Sequence, residues 1–138
     1  MIRIFLAVLL LACLMLVSRC SKDDGESADA KTKRLLQSSW HVEKVTTDGV
    51  DETALYPNLT LTIGAGTYTS QNGEPIWPAS GTWTLTDAKT VTRDNDLPIT
   101  IETLDETTLT LSFTWTKTTY AGGRMQSLSG VNVFQFQK

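Results

Sequence analysis

Two thiols, one imidazole and two short carboxylate clusters are the groups in this sequence whose types and spacing invite a chemical reading. A thiol can be alkylated, acylated or paired, but Cys13 and Cys20 both lie in the amino-terminal stretch, far from any other reactive pair. His41 is the single histidine, and it follows Trp40 at the head of an alternating segment. On a strand it therefore faces away from the apolar side, as a solvated side chain rather than a base or metal ligand. Asp94-Asn95-Asp96 has the flavour of calcium ligation, yet the further acidic positions, the glycine and the closing glutamate of a calcium loop do not follow. A turn that favours Asp and Asn accounts for it. Asp105-Glu106 reads as a hairpin turn on the same grounds. No catalytic residue, metal site or cofactor is expected, and the expected class is non-enzymatic.

Cys20 carries the one strong signal. Arg3 supplies a positive start, and Ile4 to Val17 runs for about 14 residues without a charge, the two leading parts of a secretory signal. That run falls short of the roughly 20 residues a spanning helix needs. Val17-Ser18-Arg19-Cys20 resembles the lipobox of bacterial lipoproteins, with Arg19 where a small residue is usual. The resemblance implies a diacylglyceryl thioether on Cys20, cleavage before it, and acylation of the new amino terminus. Leu10-Leu11-Ala12-Cys13 fits letter by letter, but it leaves an apolar run of only about eight residues and an apolar mature start. Ser21-Lys22-Asp23-Asp24, immediately after Cys20, resembles the acidic export tag of Bacteroidota-type surface lipoproteins. The resemblance implies an outer-membrane protein anchored by lipid, palmitate among the acyl chains, and facing the cell exterior. Several acyl chains anchor far more firmly than one, at about 0.8 kcal/mol per buried methylene.

Composition bounds the remainder. Removal of residues 1–19 as a signal peptide leaves about 119 of 138 residues, room for one modest domain. Arg3 and Arg19 leave with it while all 15 acidic residues stay, so the formal charge becomes about −5. An acidic chain of this kind lacks the basic patch that nucleic acid requires. With Cys20 acylated no disulfide can form, and an apolar core must hold the domain together.

Positioning falls to strands. Residues 20–30 form a lipidated polar tether, then Lys31 to Gln37 reads as a short helix that Asp29 could cap. From Trp40 the apolar period becomes two, with threonine on the other face: Leu59, Leu61 and Ile63; Trp83 and Leu85; Ile99 and Ile101; Leu109, Leu111, Phe113 and Trp115. Phe134 and Phe136 share a face, and Val131 and Val133 take the other, which predicts a last strand covered on both sides or bulged. Asp48-Gly49, Gly64-Ala65-Gly66, Asn72-Gly73, Asp87-Ala88, Asp94-Asn95-Asp96, Asp105-Glu106 and Gly122-Gly123 fall between these runs as turns. The expected fold over residues 31–138 is all-β, an antiparallel meander barrel of about eight strands preceded by a short helix.

Leu36-Gln37-Ser38-Ser39-Trp40, with Gly66-Thr67-Tyr68-Thr69 and Gly81-Thr82-Trp83-Thr84-Leu85, resembles the lipocalin-like domains of Bacteroidota lipoproteins. The resemblance implies that Trp40 plugs the barrel base, and Arg124 is the positional candidate for the family's arginine that packs on it. A barrel of eight strands holds packed side chains or one small ligand. If a pocket exists, Trp83, Phe113 and Trp115 are its expected lining, with Tyr68 and Trp77 near a mouth; otherwise these aromatics form the core. Two readings stay open: a lipid-anchored barrel that binds a small hydrophobic ligand or a surface protein, and an interaction module with a filled interior.

Overall fold

The computed structural model describes residues 25–138, apart from 118, 122, 123, 127 and 128, and apart from the side chains of 118–128. Cys13, Cys20, the Ser21–Asp24 tag, the Gly122-Gly123 turn and the Arg124 side chain lie outside the described residues. The first element among the described residues is helix α1, Ala28–Leu36. Its cap is Ser27, whose Oγ accepts a hydrogen bond from the Ala30 amide at 3.2 Å, so the helix starts three residues before Lys31 and Asp29 is not the cap. Asp29 sits in the first turn, where its charge suits the positive end of the helix dipole. Thr32, Leu35 and Leu36 form the buried stripe, a spacing set by 3.6 residues per turn. No helix among the described residues is long and apolar enough to cross a membrane.

Eight strands close into an antiparallel barrel: β1 (Ser39–Thr47), β3 (Thr60–Ile63), β4 (Thr67–Gln71), β5 (Ser80–Asp87), β6 (Thr90–Arg93), β7 (Leu97–Leu104), β8 (Thr108–Trp115) and β11 (Gly130–Gln137). Each pairs with its successor, and β11 pairs back onto β1. A short ninth strand, β2 (Val50–Asp51), pairs with the far end of β1, and β9 (Thr119–Ala121) pairs with β10 (Arg124–Gln126) as a separate hairpin. The apolar alternation read from the sequence is the inner face: Leu109, Leu111, Phe113 and Trp115 are all buried. Threonines occupy most outward positions, where a β-branched residue with a hydroxyl satisfies both strand and solvent.

The closing seam departs from expectation. β11 runs in continuous register with β8 and carries no bulge. Asn132, Phe134 and Phe136 point inward, while Val131 faces solvent at 48% exposure. The irregularity lies in its partner, between Val42 and Lys44 of β1. The extra residue, Glu43, switches parity, so that Trp40 and Val45 are both buried although five positions apart. Asn132 can face inward because its Oδ1 accepts a hydrogen bond from the Thr47 hydroxyl at 3.0 Å.

The meander gives the barrel two distinct ends. At the base lie α1, the turns at 64–66, 88–89 and 105–107, and the last residue, Lys138. Thr32 Oγ1 donates to Ala88 O at 3.0 Å, and Arg34 bridges Glu26 and Glu106 at 3.0 and 3.3 Å. At the opposite end lie the segment 72–79 between β4 and β5, the turn at 94–96, and the long connection between β8 and β11.

Candidate functional site

The features with chemical potential gather at that loop end. Residues 72–79 hold no strand, yet Ile76 and Trp77 within them are 0% and 3% exposed. The segment turns inward as a plug. Asn72 takes a left-handed φ of 59°, and the Trp77 amide donates back to Gly73 O at 2.8 Å. A Cβ on Gly73 would stand 2.6 Å from that of Trp77 and 2.9 Å from Leu59 Cδ1, so only glycine permits the turn. Ser70 Oγ sits 2.8 Å from Pro78 O and 3.1 Å from Trp77 O, pinning the returning chain.

Inside the barrel, Trp77 meets an aromatic box. Tyr68, Phe113 and Phe134 stand edge-to-face with it at ring-centroid distances of 5.8, 5.8 and 5.9 Å, and Phe113 stacks on Phe134 at 5.7 Å. Such edge contacts place the positive rim of one ring on the negative face of another. Tyr68 packs across the pair with Gly81, and a side chain there would strike the Tyr68 ring and Asp94.

Arg93 organises the cluster. As the last residue of β6 it shares parity with Val91, so it points inward and is 5% exposed. Its guanidinium carbon lies 4.9 Å from the centre of Trp77 and 5.6 Å from that of Trp115, a desolvated cation over aromatic faces. Nη1 donates to Ile76 O at 2.8 Å and so ties the plug to the barrel wall. Nε is 3.4 Å from Asp94 Oδ2, close enough for charge attraction but misaligned for a hydrogen bond. Burial holds the guanidinium below its ordinary pKa, opposed by Tyr68 and Asp94. Burial, then the hydrogen bond to Asp94, raises the Tyr68 phenol well above its usual value.

Asp94 is committed inside this network. Tyr68 donates to Oδ2 and the Thr82 amide to Oδ1, both at 2.8 Å. Asp94 and Asn95 have φ of 52° and 58°, so Asp94-Asn95-Asp96 is a tight turn, and no group of three or more metal-ligating side chains occurs among the described residues. His41, with Nδ1 3.3 Å from Thr60 Oγ1, is exposed on the outer wall, far from the cluster in the sheet.

The space left inside is small. A cavity of about 30 Å³, the size of one water molecule, lies among Tyr68, Trp77, Trp83, Arg93 and aliphatic side chains. Of the aromatic residues expected to line a pocket, Tyr68, Trp77 and Trp83 border this void. Phe113 packs beside Trp77 instead, and Trp115, buried on the same inner face, borders the groove outside the plug. Trp83 is held by its Nε1, which donates to Gly64 O at 2.9 Å. Trp77 is not at a mouth; it is the stopper.

Outside the stopper runs a groove of about 560 Å³, walled by Pro75 and Pro78 on one side and by Leu97, Thr114, Trp115 and Lys117 on the other. The Lys117 ammonium lies 5.4 Å from the centre of the Trp115 ring. Trp115 Nε1, Trp77 Nε1 and Arg93 Nε are buried without a hydrogen-bond partner, an unusual concentration of idle donors at one end of a barrel. Arg93 escaped the sequence reading, although its two-residue spacing from Val91 was the signal for an inward arginine.

The base is closed differently. Trp40 is 0% exposed, and its Nε1 donates to Leu36 O at 2.9 Å. The cation over its ring is Lys138 Nζ, 4.8 Å from the centroid. Compared with protein-family models, curated proteins and solved structures, the chain matches none.

Proposed function

We propose that this chain is a non-enzymatic surface lipoprotein that works through the loop end of a self-filled barrel. One observation carries the reading: the interior void is about 30 Å³, whereas the groove at the end remote from α1 is about 560 Å³. Small-molecule sites usually occupy about 300 to 1,000 Å³. The tether enters at the base through α1, so an acylated Cys20 turns the base toward the membrane and the loop end toward the exterior. The lipobox-like Val17–Cys20 and the acidic tag that follows support that address, and the closed meander supports the resemblance to lipocalin-like domains. A small apolar ligand inside the barrel is the second reading, favoured by Tyr68, Trp77 and Trp83 around the void; it requires residues 72–79 to withdraw.

Native mass spectrometry of the acylated full chain, with an organic extract of the same sample, separates the two. The expected result is the mass of the chain plus its acyl groups alone. A reproducible additional apolar compound would overturn the self-filled reading. Replacing Lys22, Asp23 and Asp24 by alanine should abolish cleavage by protease added to intact cells while leaving Cys20 acylated.

A further inference from the structure

Resting on the reading that the loop end is the working end, we propose that the groove beside the plug binds a neutral saccharide. Trp115 and Arg93 border the groove, and their Nε1 and Nε, on side chains 7% and 5% exposed, are buried beside it without a hydrogen-bond partner. A buried donor left idle is costly, and a ligand oxygen that reached it from the groove would recover that cost. The rim offers the complement, since the exposed Asp96 carboxylate borders the groove and can only accept. A ligand must therefore accept at the floor and donate at the rim within a few ångströms. Sugar hydroxyls do both.

Charge narrows the class. Asp94 offsets Arg93 at 3.4 Å, and Asp96 and Lys117 border the same groove with opposite signs, so neither an anion nor a cation is favoured. Two carboxylates beside the floor repel a phosphate. The walls are mixed rather than continuously apolar, which leaves an acyl chain against idle donors. Pro75, Pro78 and Leu97 match instead the C–H faces of a pyranose. At about 560 Å³ the groove accommodates a short oligosaccharide.

Saturation-transfer NMR on the full chain, solubilised in a detergent without a sugar headgroup, tests this with maltotriose, cellotriose and N,N′,N″-triacetylchitotriose. Trialanine and inorganic phosphate serve as competing chemistries. The expected result is transfer to the ring C–H protons of at least one trisaccharide, none to trialanine, and no loss of the sugar signal when phosphate is added. Asp96→Ala should weaken that binding at least tenfold with an unchanged melting temperature. Trp115→Phe, which removes an idle donor, should do the same with little loss of stability. Absence of transfer to all three sugars, equal transfer in Asp96→Ala, transfer to trialanine, or displacement of the sugar by phosphate overturns the proposal. Because Asp96 is an exposed turn residue, its variant remains informative if Trp115→Phe does not fold. Failure of the sugars with a clean mass spectrum discards the saccharide and keeps the loop-end reading, whereas an apolar compound in the spectrum discards that reading itself.

Discussion

Each end of this barrel is stopped by a tryptophan beneath a cation, and the two stoppers are built to different standards. At the base, Trp40 comes from a strand, its indole N–H is bonded to Leu36 O, and its cation is the terminal Lys138. At the loop end, Trp77 comes from an irregular segment, its indole N–H has no partner, and its cation is the buried Arg93. The base is satisfied in the ordinary way of a core. The loop end leaves three indole and guanidinium donors idle while burying a charge. Structures tolerate such local inconsistencies chiefly where something other than stability is being served.

Paired substitutions sharpen that contrast most. Trp40→Phe deletes a used donor and orphans Leu36 O, and should cost about 2–4 kcal/mol in urea unfolding. Trp77→Phe deletes an unused donor, so its cost should be smaller by roughly the 1–3 kcal/mol of an orphaned group. Equal costs would mean that the Trp77 N–H is satisfied in solution, and the contrast between the ends would collapse. Next in size is Arg93→Met. Asp94 keeps Tyr68 and Thr82 as donors, so the loss should be about 1–2 kcal/mol, below that of a broken fully buried pair. Its signature is local: exchange of the Trp77 amide, bonded to Gly73 O, should accelerate while amides at the base keep their protection. Uniform acceleration would make Arg93 a general core residue rather than the latch of the plug.

The smallest effect belongs to the base and to acid. Asp105 is held down from its usual 3.8 to about 2, first by the Thr107 amide, then by the Thr108 hydroxyl and amide. Its folded value is depressed, so its contribution is complete above about pH 4 and disappears as the pH falls through about 2. Asp105→Asn should lower stability slightly at neutral pH and flatten the acid limb between those values. An unchanged acid limb would show that the turn between β7 and β8 holds without the carboxylate.

Much of the architecture was legible because alternation is a local property. Leu109 to Trp115 declares its inner face by parity alone, and Asp48-Gly49 declares a turn by its tolerance of positive φ. The helix starts three residues before Lys31, since Ser27 and Asp29 are both competent caps and only the packing of Thr32, Leu35 and Leu36 on the barrel chooses between them. The last strand was harder for a related reason. The bulge that reconciles its parity lies in its partner β1, more than 80 residues earlier, and no periodicity within Gly130–Gln137 reveals it. The sequence marks Asn72-Gly73 as a turn, but Pro75 and Pro78 punctuate chain direction without saying whether the segment between them faces water or core.

By itself the sequence determined the strands, their faces and turns, and the expectation of an anchor at Cys20, all of them consequences of interactions between near neighbours. The tertiary structure alone decided that the barrel closes on itself, that Trp77 turns into its interior, and that Arg93 latches the plug. Those outcomes depend on which distant side chains share one small interior volume, a quantity set by closure and by the path of a single loop. A sequence can list the aromatics able to line a cavity, but only the folded chain shows whether one of its own has taken the space.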